Sequence, residues 1–270
     1  MRPPGPQEAE SIRMEFIQTI PYPILAGAIF CFGLAIGSFA NVCIHRLPQK
    51  ESVVVPGSHC RACLTAVHPL DNIPIISYIV LGGKCRNCST RISWIYPIIE
   101  AVTAGLLLAF FLKYGLSFDF LVYAVVTPAL VIITVIDIEH QIIPDVITLP
   151  GIVLGLAVGT YTIGYANSLI GFFLGGGLFY LLAVLSNGGM GGGDIKYIAA
   201  VGALLGWEKV LLIIFIGAFL GSVVSLIQIA TEKKSRKSLI PFGPFLAIGT
   251  LVTLFYGNWL IRLYLEYLER

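Results

Sequence analysis

Two aspartates follow strongly apolar or glycine-rich stretches of this 270-residue chain. Asp137 ends the apolar run 130–136, and Asp194 follows Gly191-Gly192-Gly193. An ionisable side chain at membrane depth is costly unless it is solvated or paired, so both aspartates indicate function. Two carboxylates in a low-dielectric cleft cannot both ionise easily, and a pair that shares one proton supplies the acid and the base for peptide hydrolysis. We assign both roles to the pair, and to neither residue alone.

Asp194 and the nearby Asp145 have structural alternatives, whereas Asp137, still on its apolar helix, has a poor one. Asp194 can N-cap a helix that starts at Ile195. A phosphate-binding loop is disfavoured, because 189–194 matches neither the dinucleotide nor the P-loop fingerprint and its carboxylate would repel phosphate. The helix with Asp137 must end before Pro144, and Asp145 can then cap the next helix. His140 can hydrogen-bond into a site beside Asp137.

Four cysteines form two C-x-x-C pairs 21 residues apart, and this spacing is typical of a four-thiolate zinc ribbon: Cys60, Cys63, Cys85 and Cys88. Four thiolates fill a tetrahedral zinc ion, so the metal would hold structure and leave no position for catalysis. Cysteines without metal and a redox pair remain alternatives. His59 is interpreted as an ordinary loop residue, and Cys31 and Cys43 as small apolar residues.

The composition indicates a polytopic membrane protein. Hydrophobic residues make up 57% of the chain and charged residues 12%, whereas soluble domains average about 25% charged residues. Nothing in a net charge of +2 suggests binding to nucleic acid. Runs long enough to cross a bilayer occur at 17–41, 95–112, 120–136, 146–165, 169–185, 195–205, 210–229 and 242–260. The first is predicted to be a retained helix. The sixth is short, so seven spans is the alternative to eight.

Basic residues set the predicted orientation. The polar segment 42–94 and the loop 231–239 hold most of them: Arg46, Lys50, Arg61, Lys84, Arg86, Arg91, Lys233, Lys234, Arg236 and Lys237. With eight spans these segments share one side with both aspartate loops, which the positive-inside rule places in the cytoplasm.

The sequence thus predicts an all-α polytopic membrane protein of about eight transmembrane helices, with a small cytoplasmic zinc-ribbon-like domain between helices 1 and 2. Its predicted parts are a tail (1–16), the first helix (17–41), the four-cysteine domain (42–94) and a transmembrane peptidase domain (95–270).

A series of motifs, taken in their order along the chain, resembles the motifs of the type IV prepilin peptidase family. They are Gly37-Ser38-Phe39-Ala40-Asn41-Val42, Arg46-Leu47-Pro48, both C-x-x-C pairs, Asn72-Ile73-Pro74, Leu81-Gly82-Gly83-Lys84-Cys85, Tyr96-Pro97 with Glu100, 137–145, 189–196 and Pro241-Phe242-Gly243-Pro244. The resemblance implies that Asp137 and Asp194 are the catalytic aspartates. It also implies that the substrates are prepilins and pseudopilins, cut after a leader glycine at the cytoplasmic face of the bacterial inner membrane. Ile136 stands where the related presenilin-like proteases have tyrosine.

The resemblance further implies methylation of the new amino terminus with S-adenosylmethionine. The family's methyl-transfer region corresponds to Gly82, Gly83 and Lys84, although no Rossmann G-x-G-x-x-G motif occurs in the chain. The alternatives are a peptidase without methyl transfer, a proton- or metal-coupled transporter, and a membrane scaffold with a zinc module. Glycines at 33 and 37, and at 151, 155 and 159, are expected to allow close packing of helices.

Overall fold

The structure is a computed structural model that describes residues 21–187, 189–231 and 241–269. Nine α-helices lie in this part of the chain: α1 Tyr22–Arg46, α2 Ile76–Val80, α3 Ile95–Tyr114, α4 Phe118–His140, α5 Asp145–Thr162, α6 Tyr165–Leu185, α7 Gly192–Leu205, α8 Trp207–Ala230 and α9 Gly243–Leu268. A 3-10 turn covers Pro69–Asn72. Extended pairing among the described residues is limited to two isolated bridges, so the all-α prediction is confirmed.

Seven of these helices are long and apolar enough to cross a membrane, namely α1, α3, α4, α5, α6, α8 and α9. Helix α7 has 14 residues, fewer than the roughly 20 that span a bilayer. It corresponds to the run that was predicted to be short. The polytopic fold is therefore confirmed. The described helices give seven membrane spans without the short helix α7 and eight with it.

Some predicted segments differ in extent or lie outside the described residues. Helix α1 continues to Arg46, five residues past the predicted end of the first span, because Val42, Cys43 and Ile44 prolong its apolar sequence. The tail 1–16, the first four residues of the predicted span 17–41 and the basic residues of the loop 231–239 are not among the described residues.

The chain divides into two compact units. The first unit comprises residues 1–42 and 54–128, and the second comprises residues 43–53 and 129–270. In the first unit, α1 and α3 pack antiparallel through glycines. A Cβ atom at Gly33 would lie 2.6 Å from the Cα of Ala104, and one at Gly37 would lie 2.6 Å from the Cα of Glu100. These glycines therefore allow close contact between the two helices, as is common where helices pack in a membrane.

In the second unit, α7 is enclosed by neighbouring helices. Gly155 of α5 lies against the carbonyl oxygen of Ala200, which a Cβ at position 155 would approach to 2.6 Å. On another side, Gly171 of α6 faces Gly202 of α7 so closely that neither position has room for a side chain. Half of the residues of α7 are buried. This packing fixes the start of α7, and with it the position of Asp194.

Candidate active site and metal centre

Asp137 lies near the carboxyl end of α4 and is 5% exposed. Its carboxylate accepts a hydrogen bond of 2.8 Å from the backbone N–H of Gly243, the first residue of α9. A helix amino terminus carries unpaired N–H groups and a partial positive charge, so it accommodates a negative charge at this position. A Cβ at position 243 would lie 2.8 Å from the carboxylate oxygen Oδ2 of Asp137, so glycine is required there.

Asp194 lies in the first turn of α7. The helix starts at Gly192, and its N-cap is Gly191, which makes no side-chain cap. The capping alternative for Asp194 is therefore wrong, because the glycines themselves adopt helical geometry before the aspartate. The Oδ1 atom of Asp194 is buried and has no hydrogen-bond partner among the described residues. A buried acceptor of this kind is suited to a water molecule or a substrate group.

The loops that carry the two aspartates meet in the second unit. A Cβ at Gly193 would lie 2.7 Å from the Cβ of Ile143, so glycine lets the start of α7 touch the segment after α4. The carboxylate of Asp137 is near enough to Asp194 for their charges to interact. The structure thus brings together two carboxylates that are 57 residues apart in the sequence.

Two further contacts hold the elements around Asp194. Lys196 Nζ donates a hydrogen bond of 2.7 Å to Asp145 Oδ1, which joins α7 to the start of α5. Asp145 is the first residue of α5, and no side-chain cap forms there, so its contact with Lys196 replaces the predicted capping role. The buried hydroxyl of Tyr197 lies 2.7 Å from Thr250 Oγ1, which ties α7 to α9. His140 is exposed and lies 3.8 Å from Glu139.

Breaking the ion pair between Asp145 and Lys196 is expected to lower cleavage activity at most about fivefold, because a half-exposed pair contributes about 0–1 kcal/mol. The single variants Asp145→Lys and Lys196→Asp should both show this loss. The double variant that exchanges the two charges should recover activity, as measured by the rate of the peptide hydrolysis expected of the aspartate pair. If the double variant has only the activity expected from two independent losses, the ion pair does not position the aspartate loops.

The four cysteines of the C-x-x-C pairs come together in the first unit. Their sulfur atoms all lie within 4.8 Å of one another, and the sulfurs of Cys60 and Cys88 are 3.7 Å apart. A tetrahedral zinc ion with Zn–S bonds of about 2.3 Å separates its sulfurs by about 3.8 Å. A disulfide needs about 2.05 Å between sulfurs. The arrangement therefore fits a zinc ion coordinated by four thiolates.

Both pairs have the same local fold. Cys60–Cys63 lies between the bridged residues His59 and Ala66, and Cys85–Cys88 lies between Lys84 and Arg91. In each loop the first cysteine exchanges backbone hydrogen bonds with residues four and five positions later. Each loop thus presents two sulfurs from one tight turn, the geometry of a zinc knuckle. Cys31, Cys43 and the ring of His59 are not members of this cluster.

Local hydrogen bonds prepare the thiol of Cys63 for metal binding. Hydrogen bonds from Thr65 and Asn87 lower the pKa of Cys63 to about 6, so its thiol is largely ionised at neutral pH. Asn87 also donates a hydrogen bond of 2.9 Å to Thr65 Oγ1, which joins the two loops. Arg86 holds the pKa of Asp71 below its usual value by hydrogen bonding to that carboxylate. This contact joins the second loop to the 3-10 turn.

The purified protein is expected to contain about one zinc ion per chain, because four thiolates satisfy one tetrahedral ion. Cys60→Ser and Cys88→Ser should each lose it, whereas Cys31→Ser should retain it. Elemental analysis of the three variants beside the wild type measures this directly. A folded wild-type sample without metal would contradict the zinc assignment.

Gly82, Gly83 and Lys84 follow the short helix α2. Gly82 and Gly83 have φ values of +59° and +67°, which glycine adopts without strain. The N–H groups of all three residues donate to the carbonyl oxygens of Ile79, Tyr78 and Leu81. The two glycines are thus accounted for by the turn, and the exposed side chain of Lys84 is the group that this segment offers to a ligand.

Sequence motifs did not identify the partner of Asp137. In the sequence, Pro241-Phe242-Gly243-Pro244 is only a motif of the family. The structure shows that Gly243 of this motif donates its N–H to Asp137. The signal was present, however, because a glycine before a proline at the start of an apolar run is typical of a helix amino terminus approached closely by another group.

Comparison with known proteins gives consistent matches over most of the chain. Residues 31–114 match the bacterial peptidase A24 N-terminal domain, and residues 124–226 match the type IV leader peptidase family. The chain is similar to proteins named prepilin leader peptidase/N-methyltransferase. That of Bacillus subtilis is 32% identical, with 88% of this chain and 97% of the relative covered. That of Pseudomonas aeruginosa is 31% identical, with 87% and 91% covered. That of Aeromonas hydrophila is 32% identical, with 94% and 98% covered. No solved structure matches the chain.

Proposed function

The chain belongs to the type IV leader peptidase family, and we propose from this premise that it is a bifunctional membrane enzyme. It cleaves the leader peptide from type IV prepilins and pseudopilins, and it methylates the amino terminus that cleavage creates. The observation that supports the peptidase assignment is that the loops of Asp137 and Asp194 touch at Ile143 and Gly193, which leaves the two carboxylates close enough for their charges to interact. The names of the matched relatives include both activities, so neither a peptidase without methyl transfer nor a transporter is favoured.

Asp137 and Asp194 are the proposed acid and base of peptide cleavage. With one proton on the pair, the ionised carboxylate takes a proton from a water molecule while the protonated one donates to the carbonyl oxygen of the scissile bond. The water oxygen bonds to the carbonyl carbon. The C–N bond then breaks as the departing amine receives a proton from the pair, and a hydroxyl of the tetrahedral intermediate returns one proton to the pair as the carboxyl product forms. The N–H of Gly243 keeps the carboxylate of Asp137 oriented throughout these steps.

The substrate chain is proposed to pass beside the glycines that precede Asp194. Gly191 and Gly192 are exposed, and the absence of side chains there leaves room for an extended backbone. The apolar helix of the prepilin would lie among the membrane spans. We place both aspartates and the four-cysteine segment on the cytoplasmic side of the bacterial inner membrane, in keeping with the basic residues Arg61, Arg86 and Arg91 of that segment.

The methyl-transfer reaction is assigned to the first unit. S-adenosylmethionine is the methyl donor, and when bound it supplies an electrophilic methyl group. Within the chain, the turn at Gly82 and Gly83 directs Lys84 outward beside the proposed zinc site. The zinc ion would be held by Cys60, Cys63, Cys85 and Cys88 and would keep both loops folded, a role suited to a small segment with little apolar core. Because the turn's backbone N–H groups are already bonded, hydrogen-bond donors for a ligand in this segment must come from side chains.

Mass spectrometry of a prepilin co-expressed with this protein tests both activities. The expected product lacks its leader and carries one added methyl group on its new amino terminus. Recovery of the intact precursor would refute the peptidase assignment. A trimmed product without the methyl group would refute the methyl-transfer assignment alone.

A further inference from the structure

We propose that Glu100 is a positioning residue for methyl transfer, which it supports by holding a strained turn at Ile75. This inference rests on the proposed methyltransferase activity. Glu100 lies on α3, away from the peptidase aspartates in the sequence, and cleavage by Asp137 and Asp194 gives it no role. Its function therefore needs a separate explanation.

The backbone at Ile75 is strained. Ile75 has φ of 59° and ψ of −49°, a region that β-branched residues rarely enter. The N–H of Ile76 donates to the carbonyl oxygen of Pro74 across this residue at 2.6 Å. A γ-turn is closed by a hydrogen bond from an N–H to the carbonyl oxygen two residues earlier. A positive φ at the residue between them, here Ile75, defines the rare form of this turn. Such a conformation persists only where the surroundings impose it.

Glu100 supplies that restraint. Its Oε2 atom accepts a hydrogen bond of 2.8 Å from the backbone N–H of Ile75, and Ser38 of α1 also hydrogen-bonds to its side chain. Glu100 is only 7% exposed, and Gly37 packs against its Cα atom. The buried carboxylate of Glu100, which belongs to α3 and is bonded to Ser38 of α1, therefore holds the N–H of Ile75 at the centre of the turn.

The turn determines where the methyl-transfer segment lies. Helix α2 begins at Ile76, immediately after the strained residue, and has only five residues. At its end, the N–H of Gly83 donates to the carbonyl oxygen of Tyr78 at 2.8 Å. A Cβ at position 83 would lie 3.0 Å from the ring of that tyrosine. Because these links are short and consecutive, a change of direction at Ile75 moves Gly83 and Lys84 with it.

The test compares three variants of the full-length protein co-expressed with a prepilin. Glu100→Leu removes the acceptor and should lower methylation about tenfold or more, because the N–H of Ile75 is left unsatisfied. Glu100→Gln keeps an acceptor of the same length without the charge and should retain methylation within about threefold. Thr103→Val is the matched control, since its buried hydroxyl on the same helix has no hydrogen-bond partner among the described residues. All three variants should cleave the leader at the wild-type rate and retain zinc.

A second-site change distinguishes positioning from general stability. Glycine adopts a positive φ freely, so Ile75→Gly should restore methylation to the Glu100→Leu variant without restoring the carboxylate. The inference is overturned if Glu100→Leu methylates normally, if it also loses cleavage or zinc, if Glu100→Gln is equally defective, or if the glycine gives no rescue. A wild-type protein that cleaves without methylating would instead refute the proposed methyl transfer, and this inference with it.

Discussion

Asparagine at position 137 or 194 is expected to lower the rate of leader cleavage by a factor on the order of 10⁴, the scale of loss when a catalytic group is removed from a hydrolase. Asparagine has nearly the size of aspartate but neither takes up nor releases a proton under these conditions. With one carboxylate left, the site has either an acid or a base, and peptide hydrolysis requires both. The measurement is the initial rate at which purified protein in a bilayer or detergent trims a prepilin.

Local structure should survive these substitutions. The amide oxygen of asparagine at position 137 can still accept the hydrogen bond that Gly243 donates. Asp119→Asn is a matched control, because this aspartate lies in the first turn of α4, the helix that carries Asp137 near its other end. Zinc content and methylation of a substrate that already lacks its leader should stay normal in all three variants. Wild-type cleavage by either active-site variant would refute the dyad.

Alanine at position 243 is expected to lower the turnover number for cleavage about 100-fold, since a displacement of about 1 Å at a reacting group has this effect. The new Cβ would lie 2.8 Å from Oδ2 and 3.2 Å from Cγ of Asp137. The carboxylate must therefore shift, and its hydrogen bond to the N–H of residue 243 is strained or lost. The turnover number should fall more than the Michaelis constant changes, because the substituted group positions the reaction and does not bind the leader.

The control for this substitution is Gly177→Ala. Gly177 lies in α6 of the same unit, and a Cβ atom there would have no neighbour within 4 Å. Both variants exchange a helical glycine for alanine, so they share the loss of backbone freedom that this exchange causes in the unfolded chain. Equal activity in the two variants would show that the approach of Gly243 to Asp137 does not matter for catalysis.

Much of this architecture was predictable from local sequence. Long apolar runs identify membrane helices because the bilayer fixes their length, and seven helices in the described part of the chain meet that criterion. The four-cysteine cluster was predictable because each C-x-x-C loop brings two sulfurs together within four residues. Local physics determines both features, so a single sequence contains the information.

Contacts between distant segments were less predictable. The donor to Asp137 lies 106 residues away at Gly243, and the partner of Asp145 lies 51 residues away at Lys196. Asp145 is expected to cap α5 on local grounds, but its carboxylate instead pairs with the distant cation Lys196. The strained turn at Ile75 has no local signal, because isoleucine disfavours a positive φ and the acceptor for its N–H is the distant, buried Glu100.

The dependence of cleavage on pH tests most directly whether Asp137 and Asp194 work with one shared proton. At low pH both carboxylates are protonated and no base remains, whereas at high pH both are ionised and no acid remains. The ratio kcat/KM for a prepilin should therefore pass through a maximum and fall on both sides. A ratio that falls on one side only, or that does not depend on pH, would contradict the shared-proton mechanism.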